Sequence, residues 1–248
     1  MKILVSGLGG YMGKEIAKLA LDGFKGAELA GGVDINGCAD FDVPCETAFG
    51  DCRTSADCII DFSHHSATKD LVRFAVDSNT PLVIGTTGQT DDEQECIRTA
   101  SEKIPVFFAS NYSMGVALLV ELAKKTASAF PEADIEIVET HHNRKVDAPS
   151  GTALTLAKEI ASVLDGASIK CGRSGQGKRE PGEIGISAVR RGNITGIHEV
   201  LVSTPNQTIT LKHEAHSRAL FAEGALTAAA WLMGKPAGLY NMKNIIEN

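Results

Sequence analysis

No two of the six cysteines form a CxxC pair: Cys38, Cys45, Cys52, Cys58, Cys96 and Cys171 are scattered along the chain. That excludes a structural zinc frame and argues against a disulfide scaffold, so reduced thiols and a cytoplasmic location are expected. Positive charge is not in excess either. The formal net charge is −7 over 248 residues, which gives no general attraction for phosphate polymers, so nucleic acid is not an expected partner. Long hydrophobic runs are missing as well. The opening "MKILVSGLGG" reaches glycine after a few apolar residues, which suits a buried strand and leaves neither a secretory signal nor a membrane span to be read there. Repeats, low-complexity tracts and long linkers are also lacking, and "RSGQGKREPGE" at 173–183 is the one polar, glycine-rich loop. What is present, 43% apolar and 22% charged residues, is globular make-up sufficient for one large domain or two small ones.

Through the first half, short apolar runs at Ile3–Ser6, Ala27–Val33, Asp57–Phe62, Pro81–Ile84 and Pro105–Ala109 alternate with stretches of helical spacing. Met12, Ile16, Leu19 and Ala20 make one such stripe, and Leu71, Val72, Ala75 and Val76 another. This βα alternation predicts a parallel sheet covered on both faces. After Asn111 the pattern changes. A helix over about 114–129 leads into "DIEIVET", where Ile135 and Ile137 alternate with acidic residues, and further strands at about 184–190, 196–203 and 207–214 follow without helices between them. The predicted fold class is therefore α/β: a Rossmann-type parallel-sheet domain, residues 1–112 completed by 221–248, plus a smaller α+β domain with a mixed sheet, residues 113–220.

"VSGLGGYMGKEIAKLAL" sets glycines at 7, 9, 10 and 13 between a strand and an amphipathic helix. Glycines let the chain turn tightly and approach a pyrophosphate, which the helix N-terminus then attracts through its free N–H groups and dipole. The common fingerprint wants glycine where this chain has Met12, so the match is to a G-x-x-G-x-M-G variant. About twenty residues on, Asp34 ends the second strand, where a carboxylate would bind the adenosine ribose, and Ile35 rather than a basic residue follows it. NADH is accordingly expected over NADPH, with NADPH still usable. "GTTG" at 85–88 and "ASNY" at 109–112 also follow predicted strands, at the edge where ligands of open α/β sheets lie.

The densest ionisable stretch is "ETHHNRKVDAPSGTAL", residues 139–154. Histidine holds or gives a proton near neutral pH and lysine brings a positive charge with several donors, so the set suits an anionic substrate being protonated. Alternation sends His141 and His142 to opposite faces unless the strand stops at Thr140. Ser150, Gly151 and Thr152 open a helix whose N-terminus suits a carboxylate. Three other readings compete: a helix cap with solvated charges; zinc held by His141, His142 and Asp147; and a Ser150 nucleophile. Adjacent strand histidines point apart, so no metal is expected, and "PSG" lacks the G-x-S-x-G elbow.

In their order, "GLGGYMG", "IDFSHHSAT", "VIGTTG", "ASNYSMGV", "EIVETHHNRKVDAPSGTAL" and "GEIGISAVRRGNITGIHEV" closely resemble the dihydrodipicolinate reductase family, from about residue 2 to the C-terminus. The resemblance implies a 4-hydroxy-tetrahydrodipicolinate reductase of the diaminopimelate route to lysine, which reduces a cyclic dicarboxylic imine with NAD(P)H. It implies His141 as proton donor and Lys145 as catalytic lysine, with His142, Gly151 and Thr152 on the substrate carboxylates. For the dinucleotide it implies Gly7, Leu8, Gly9, Gly10, Tyr11, Met12, Asp34, Gly85, Thr86, Thr87, Ala109, Ser110, Asn111 and Tyr112. It further implies a homotetramer built through the smaller domain's sheet. Another Rossmann reductase of amino-acid metabolism, tested with aspartate semialdehyde or homoserine, and a dinucleotide-sensing non-enzyme are the alternatives.

Overall fold

The computed structural model describes residues 1–247. In chain order it contains β1 (Lys2–Ser6), α1 (Tyr11–Leu21), β2 (Glu28–Val33), β3 (Cys45–Glu46), β4 (Cys58–Asp61), α2 (Thr68–Asp77), β5 (Leu82–Ile84), α3 (Asp91–Ser101) and β6 (Pro105–Phe108). Then come α4 (Met114–Ala129), β7 (Asp134–His141), α5 (Gly151–Ala161), β8 (Ser168–Cys171), β9 (Glu183–Arg190), β10 (Gly196–Thr204) and β11 (Gln207–Ala215). The chain closes with α6 (Ala219–Leu232), β12 (Gly238–Tyr240) and α7 (Met242–Ile246). Two compact units result: Met1–Ser113 joined by the segment that begins at Ala219, and Met114–Arg218. No helix among the described residues is long and apolar enough to cross a membrane.

The first unit is a seven-stranded sheet in the order β12-β6-β5-β4-β1-β2-β3, with every pairing parallel. Ile3, Leu4 and Val5 of β1 and Ile59 and Ile60 of β4 are fully buried, as central strands covered on both faces must be. One covering helix is α6, whose Ala222, Ala225, Leu226, Ala229 and Leu232 have no exposed surface. Strand order reverses at β1 and β4, and the carboxyl ends of such strands are where open α/β sheets bind ligands. Those ends carry Ser6 and Asp61.

The second unit has a five-stranded mixed sheet, β11-β10-β7-β9-β8. β10 runs antiparallel to β11 and β7, while β9 runs parallel to β7 and β8. Along β7 the odd-numbered residues from Ile135 to His141 are buried, and Ile135, Ile137, Ile184, Ile186, Val200 and Val202 form a core with Leu119 of α4 and Leu156 and Ile160 of α5. Period 2 continues to the end of the strand, so Glu139 and His141 share the helix-covered face with the isoleucines. The strands expected from the pattern are all present. β3, β8, β12 and α7 carry no sequence signal of their own: each has two to five residues, and β8 is exposed throughout, which removes the alternation that marks a half-buried strand.

Candidate active site

In the first unit the glycines act through space they leave empty. Gly7 has φ +80°, and a Cβ there would lie 2.5 Å from the Phe62 carbonyl oxygen. A Cβ on Gly13 would come within 2.0 Å of the Gly7 carbonyl, so α1 seats directly on the loop. Gly10 is the N-cap of α1 and makes no side-chain hydrogen bond to its first turn. Asp34 reaches into the same loop: Gly9 N–H donates to its Oδ2 at 2.9 Å and Asn36 N–H to its Oδ1 at 3.0 Å. Beside these lies a cavity of about 460 Å³ whose lining includes Gly7, Gly10, Asp34, Ile35, Phe62 and Ser63. Ile35 is 84% exposed.

At the reversal point Asp61 is buried and accepts from Ser6 Oγ at 2.6 Å and Ser63 Oγ at 2.5 Å. Burial raises its pKa against those hydrogen bonds. Thr86 is buried and accepts from Ser63 N–H at 2.9 Å, while Thr87 is exposed. Gly85 makes room for Phe62, whose ring lies 2.2 Å from where a Cβ would be. Two expected cofactor residues turn their side chains into the core. Leu8 is fully buried, and Tyr112 donates its hydroxyl to the carbonyls of Ile84 at 2.8 Å and Phe107 at 3.3 Å. Of these two, only the backbone remains to face a ligand.

The second unit gathers the basic stretch. His141 ends β7, and His142 follows with its N–H on the Ile194 carbonyl. The strand thus runs one residue past Thr140, and the two histidines differ: His141 belongs to the buried face, while His142 opens the loop. His141 Nδ1 lies 2.6 Å from Glu139 Oε2. Glu139 is fully buried and also binds Arg190 through both oxygens, each at 2.8 Å, and Ser150 N–H at 3.0 Å. Burial acts to raise the Glu139 pKa, but Arg190, His141 and Ser150 prevail and hold it below the usual range. Lys145 pairs with Asp147 at 2.9 Å, which lowers the Asp147 pKa.

His142 has its pKa lowered, first by burial and then by the charges of Arg144, Arg218, His141 and Lys145, and its Nδ1 has no partner among the described residues. Ser150 caps α5 by accepting from Ala153 N–H at 3.2 Å, and its Oγ meets His198 Nε2 at 3.1 Å. Gly151 has open space where a side chain would be. His141, His142, Lys145 and the start of α5 are therefore within one unit of the fold, amid Arg144, Arg190 and Arg218. Glu139, Arg190, His198 and Arg218 were not singled out from the sequence. Glu139 carried a usable signal, since it stands two positions before His141 on the same strand face, but Arg190 and His198 arrive only through strand register.

The family model described as "Dihydrodipicolinate reductase, N-terminus" matches residues 1–112, and "Dihydrodipicolinate reductase, C-terminus" matches residues 115–246. The chain belongs to the dihydrodipicolinate reductase family. Within it, the 4-hydroxy-tetrahydrodipicolinate reductase of Caldanaerobacter subterraneus subsp. tengcongensis is 42% identical over all of this chain and 98% of its own. That of Alkaliphilus metalliredigens is 40% identical over 99% of each. Among solved structures, dipicolinate-bound dihydrodipicolinate reductase from Paenisporosarcina sp. TG-14 superposes with a TM-score of 0.83 at 26% identity, covering 99% of both chains. GenD2 from gentamicin A biosynthesis, in complex with NAD, shares the fold at 12% identity and a TM-score of 0.61, over 95% of this chain and 87% of its own. The activity of this dihydrodipicolinate reductase family member is the nicotinamide-nucleotide-dependent reduction of a cyclic dicarboxylic imine to tetrahydrodipicolinate, in the diaminopimelate route of lysine biosynthesis.

Proposed function

We propose that His141 and Lys145 are the catalytic residues of this reduction, His141 as its proton donor, and that His142, Gly151 and Thr152 hold the two substrate carboxylates. The observation that carries the reading is the pairing of His141 with a buried carboxylate beside a basic loop and the start of α5, where Gly151 is exposed. A dianion suits a field built from Arg144, Lys145, Arg190 and Arg218 and the N-terminal dipole of α5, where Gly151 is exposed. The dipicolinate in the Paenisporosarcina structure is a ring with two carboxylates, which is the same chemistry. The net reaction removes water from the hydroxylated ring and adds one hydride and one proton. The hydride carries the electron pair and the proton comes from His141.

The cradle of Gly7, Gly9, Gly10 and Gly13, with Asp34 at the end of β2, fits a dinucleotide. Leu8, Tyr11, Met12, Gly85, Thr86, Thr87, Ala109, Ser110, Asn111 and Tyr112 complete that side, Leu8 and Tyr112 through their backbone. A bound nicotinamide nucleotide supplies the hydride. Asp34 takes the ribose hydroxyls, and Ile35 offers no charge to a 2′-phosphate, so NADH is the better cofactor. Residues 1–112 with 221–248 thus serve the nucleotide and 113–220 the substrate, and four copies assemble through the mixed sheet of the second unit in the cytoplasm.

In the test, a dihydrodipicolinate synthase supplies the unstable substrate and nicotinamide absorbance is followed. His141→Gln and Lys145→Ala should each lower kcat at least 10²-fold, with KM for NADH little changed. Retained turnover in both would remove the assigned roles. The kcat/KM should be higher with NADH than with NADPH, and Ile35→Arg should raise the value for NADPH. Sedimentation of the purified chain should report four copies, and a monomer would remove that part.

A further inference from the structure

Glu139 has more partners than a buried carboxylate needs for mere solvation. A carboxylate offers about four lone-pair sites, and four donors meet this one: Arg190 Nη1 and Nη2, Ser150 N–H and His141 Nδ1. Arg190 is the register partner of His141 on the parallel strand β9, which is why its fork reaches back to Glu139. The same guanidinium donates to the Asp147 carbonyl at 2.6 Å, binding the loop that bears Lys145. An ionised carboxylate only accepts, so a neutral His141 must carry its proton on Nδ1. The other nitrogen, Nε2, faces Gly196. A Cβ on Gly196 would lie 3.0 Å from Nε2 and 3.4 Å from Cδ2, so a side chain there would cover it.

We infer that Glu139, oriented by Arg190 and Ser150 N–H, is a positioning residue that holds the Nδ1 proton of His141 and so makes Nε2 the nitrogen that delivers the proton, with Gly196 keeping that nitrogen uncovered. The inference rests on the proton-donor reading of His141. In the step itself the Nε2–H bond of the imidazolium breaks, its electron pair stays on Nε2, and the proton joins the substrate atom that receives it. The ring is left neutral with hydrogen on Nδ1, already in the form Glu139 accepts, so no tautomer change is needed before reprotonation from water. In Glu139→Gln the amide NH₂ must take the place of Oε2, where it meets His141 and Arg190 Nη1, or of Oε1, where it meets Arg190 Nη2 and Ser150 N–H. Facing His141, it turns Nδ1 into an acceptor and moves the ring proton to Nε2. Facing the others, it breaks their hydrogen bonds.

The test uses the ¹⁵N-labelled full chain, with long-range proton–nitrogen spectra assigned by loss of signals in His141→Gln. In the wild type at a pH where the ring is neutral, Nδ1 should appear protonated and Nε2 bare. Glu139→Gln should reverse or mix this pattern and lower kcat roughly 10²-fold or more, with KM for NADH within about twofold. A wild-type ring protonated on Nε2, which can be seen whether or not Glu139→Gln folds, overturns the inference. So does a Glu139→Gln protein with the proton still on Nδ1 and kcat unchanged. If Glu139→Gln does not fold, Gly196→Ala provides the second arm: kcat should fall while the Nδ1 signal stays, and unchanged turnover overturns the role of Gly196. Failure of the underlying reading looks different, because His141→Gln would then keep its turnover, and the positioning pair would have no proton transfer to serve.

Discussion

His198 is buried beside Glu139 and His141, stacked edge-on against the His141 ring at 5.1 Å. Burial, and then the charge of His141, push its pKa down to about 4 from 6.5. A histidine whose folded pKa is depressed costs nothing above about 6.5, where both folded and unfolded chains hold it neutral. Below that the unfolded chain takes up the proton first, so stability is lost as pH falls from 6.5 towards 4. The single group then removes about 2 kcal/mol at pH 5 and about 3 kcal/mol in full. His198→Gln, which can keep the bond to Ser150 Oγ, should flatten the fall in stability between pH 7 and pH 5 in urea titrations. An unchanged slope would mean that the ring is hydrated in solution. Glu139 adds in the same direction, since a lowered carboxyl pKa stabilises above its unfolded value and is lost in acid.

At the scale of elements, two helix starts decide what each unit can hold. α1 lies so close to its loop that Gly13 has no room for a methyl group, 2.0 Å from the Gly7 carbonyl. Gly13→Ala should therefore push the helix off the loop, lower Tm by several degrees and weaken NADH binding at least tenfold in calorimetry. α5 begins at Ser150, whose oxygen both caps Ala153 N–H and meets His198. Ser150→Ala removes the cap and leaves His198 Nε2 without that partner, so a loss of about 1–2 kcal/mol is expected in denaturant titrations. These starts were readable as motifs because they depend on local φ/ψ and on which residues tolerate it. The strands β3, β8 and β12 were not, because their pairing is supplied by neighbours and their own residues carry no periodic signal.

For the whole molecule, the chain leaves its first unit at Ser113 and returns to it at Ala219. α6 is nearly apolar all round and fills the first unit's core, with Gly224 so near Tyr112 that a Cβ would lie 1.7 Å from the carbonyl oxygen. A protein cut after Arg218 should expose the face that α6 covers. Its first unit should lose cooperative unfolding by calorimetry, while the second unit, continuous in sequence, should keep its own transition. Cooperative melting of both units after the cut would show that α6 is dispensable.

The sequence by itself determined the alternation of strands and helices, the glycine cradle, the carboxylate at position 34 and the basic stretch at 139–154, because these are written in local spacing and in residue types with few other uses. Only the tertiary structure decided that Arg190 and Ser150 converge on Glu139, and Glu139 and His198 on His141. Arg190 and His198 lie about fifty residues beyond it, and they meet it because strand register in the mixed sheet sets β9 and β10 on either side of β7. The same cause turned Leu8 and Tyr112 inward: a motif fixes the path of the backbone, but burial against distant strands and helices settles where each side chain goes.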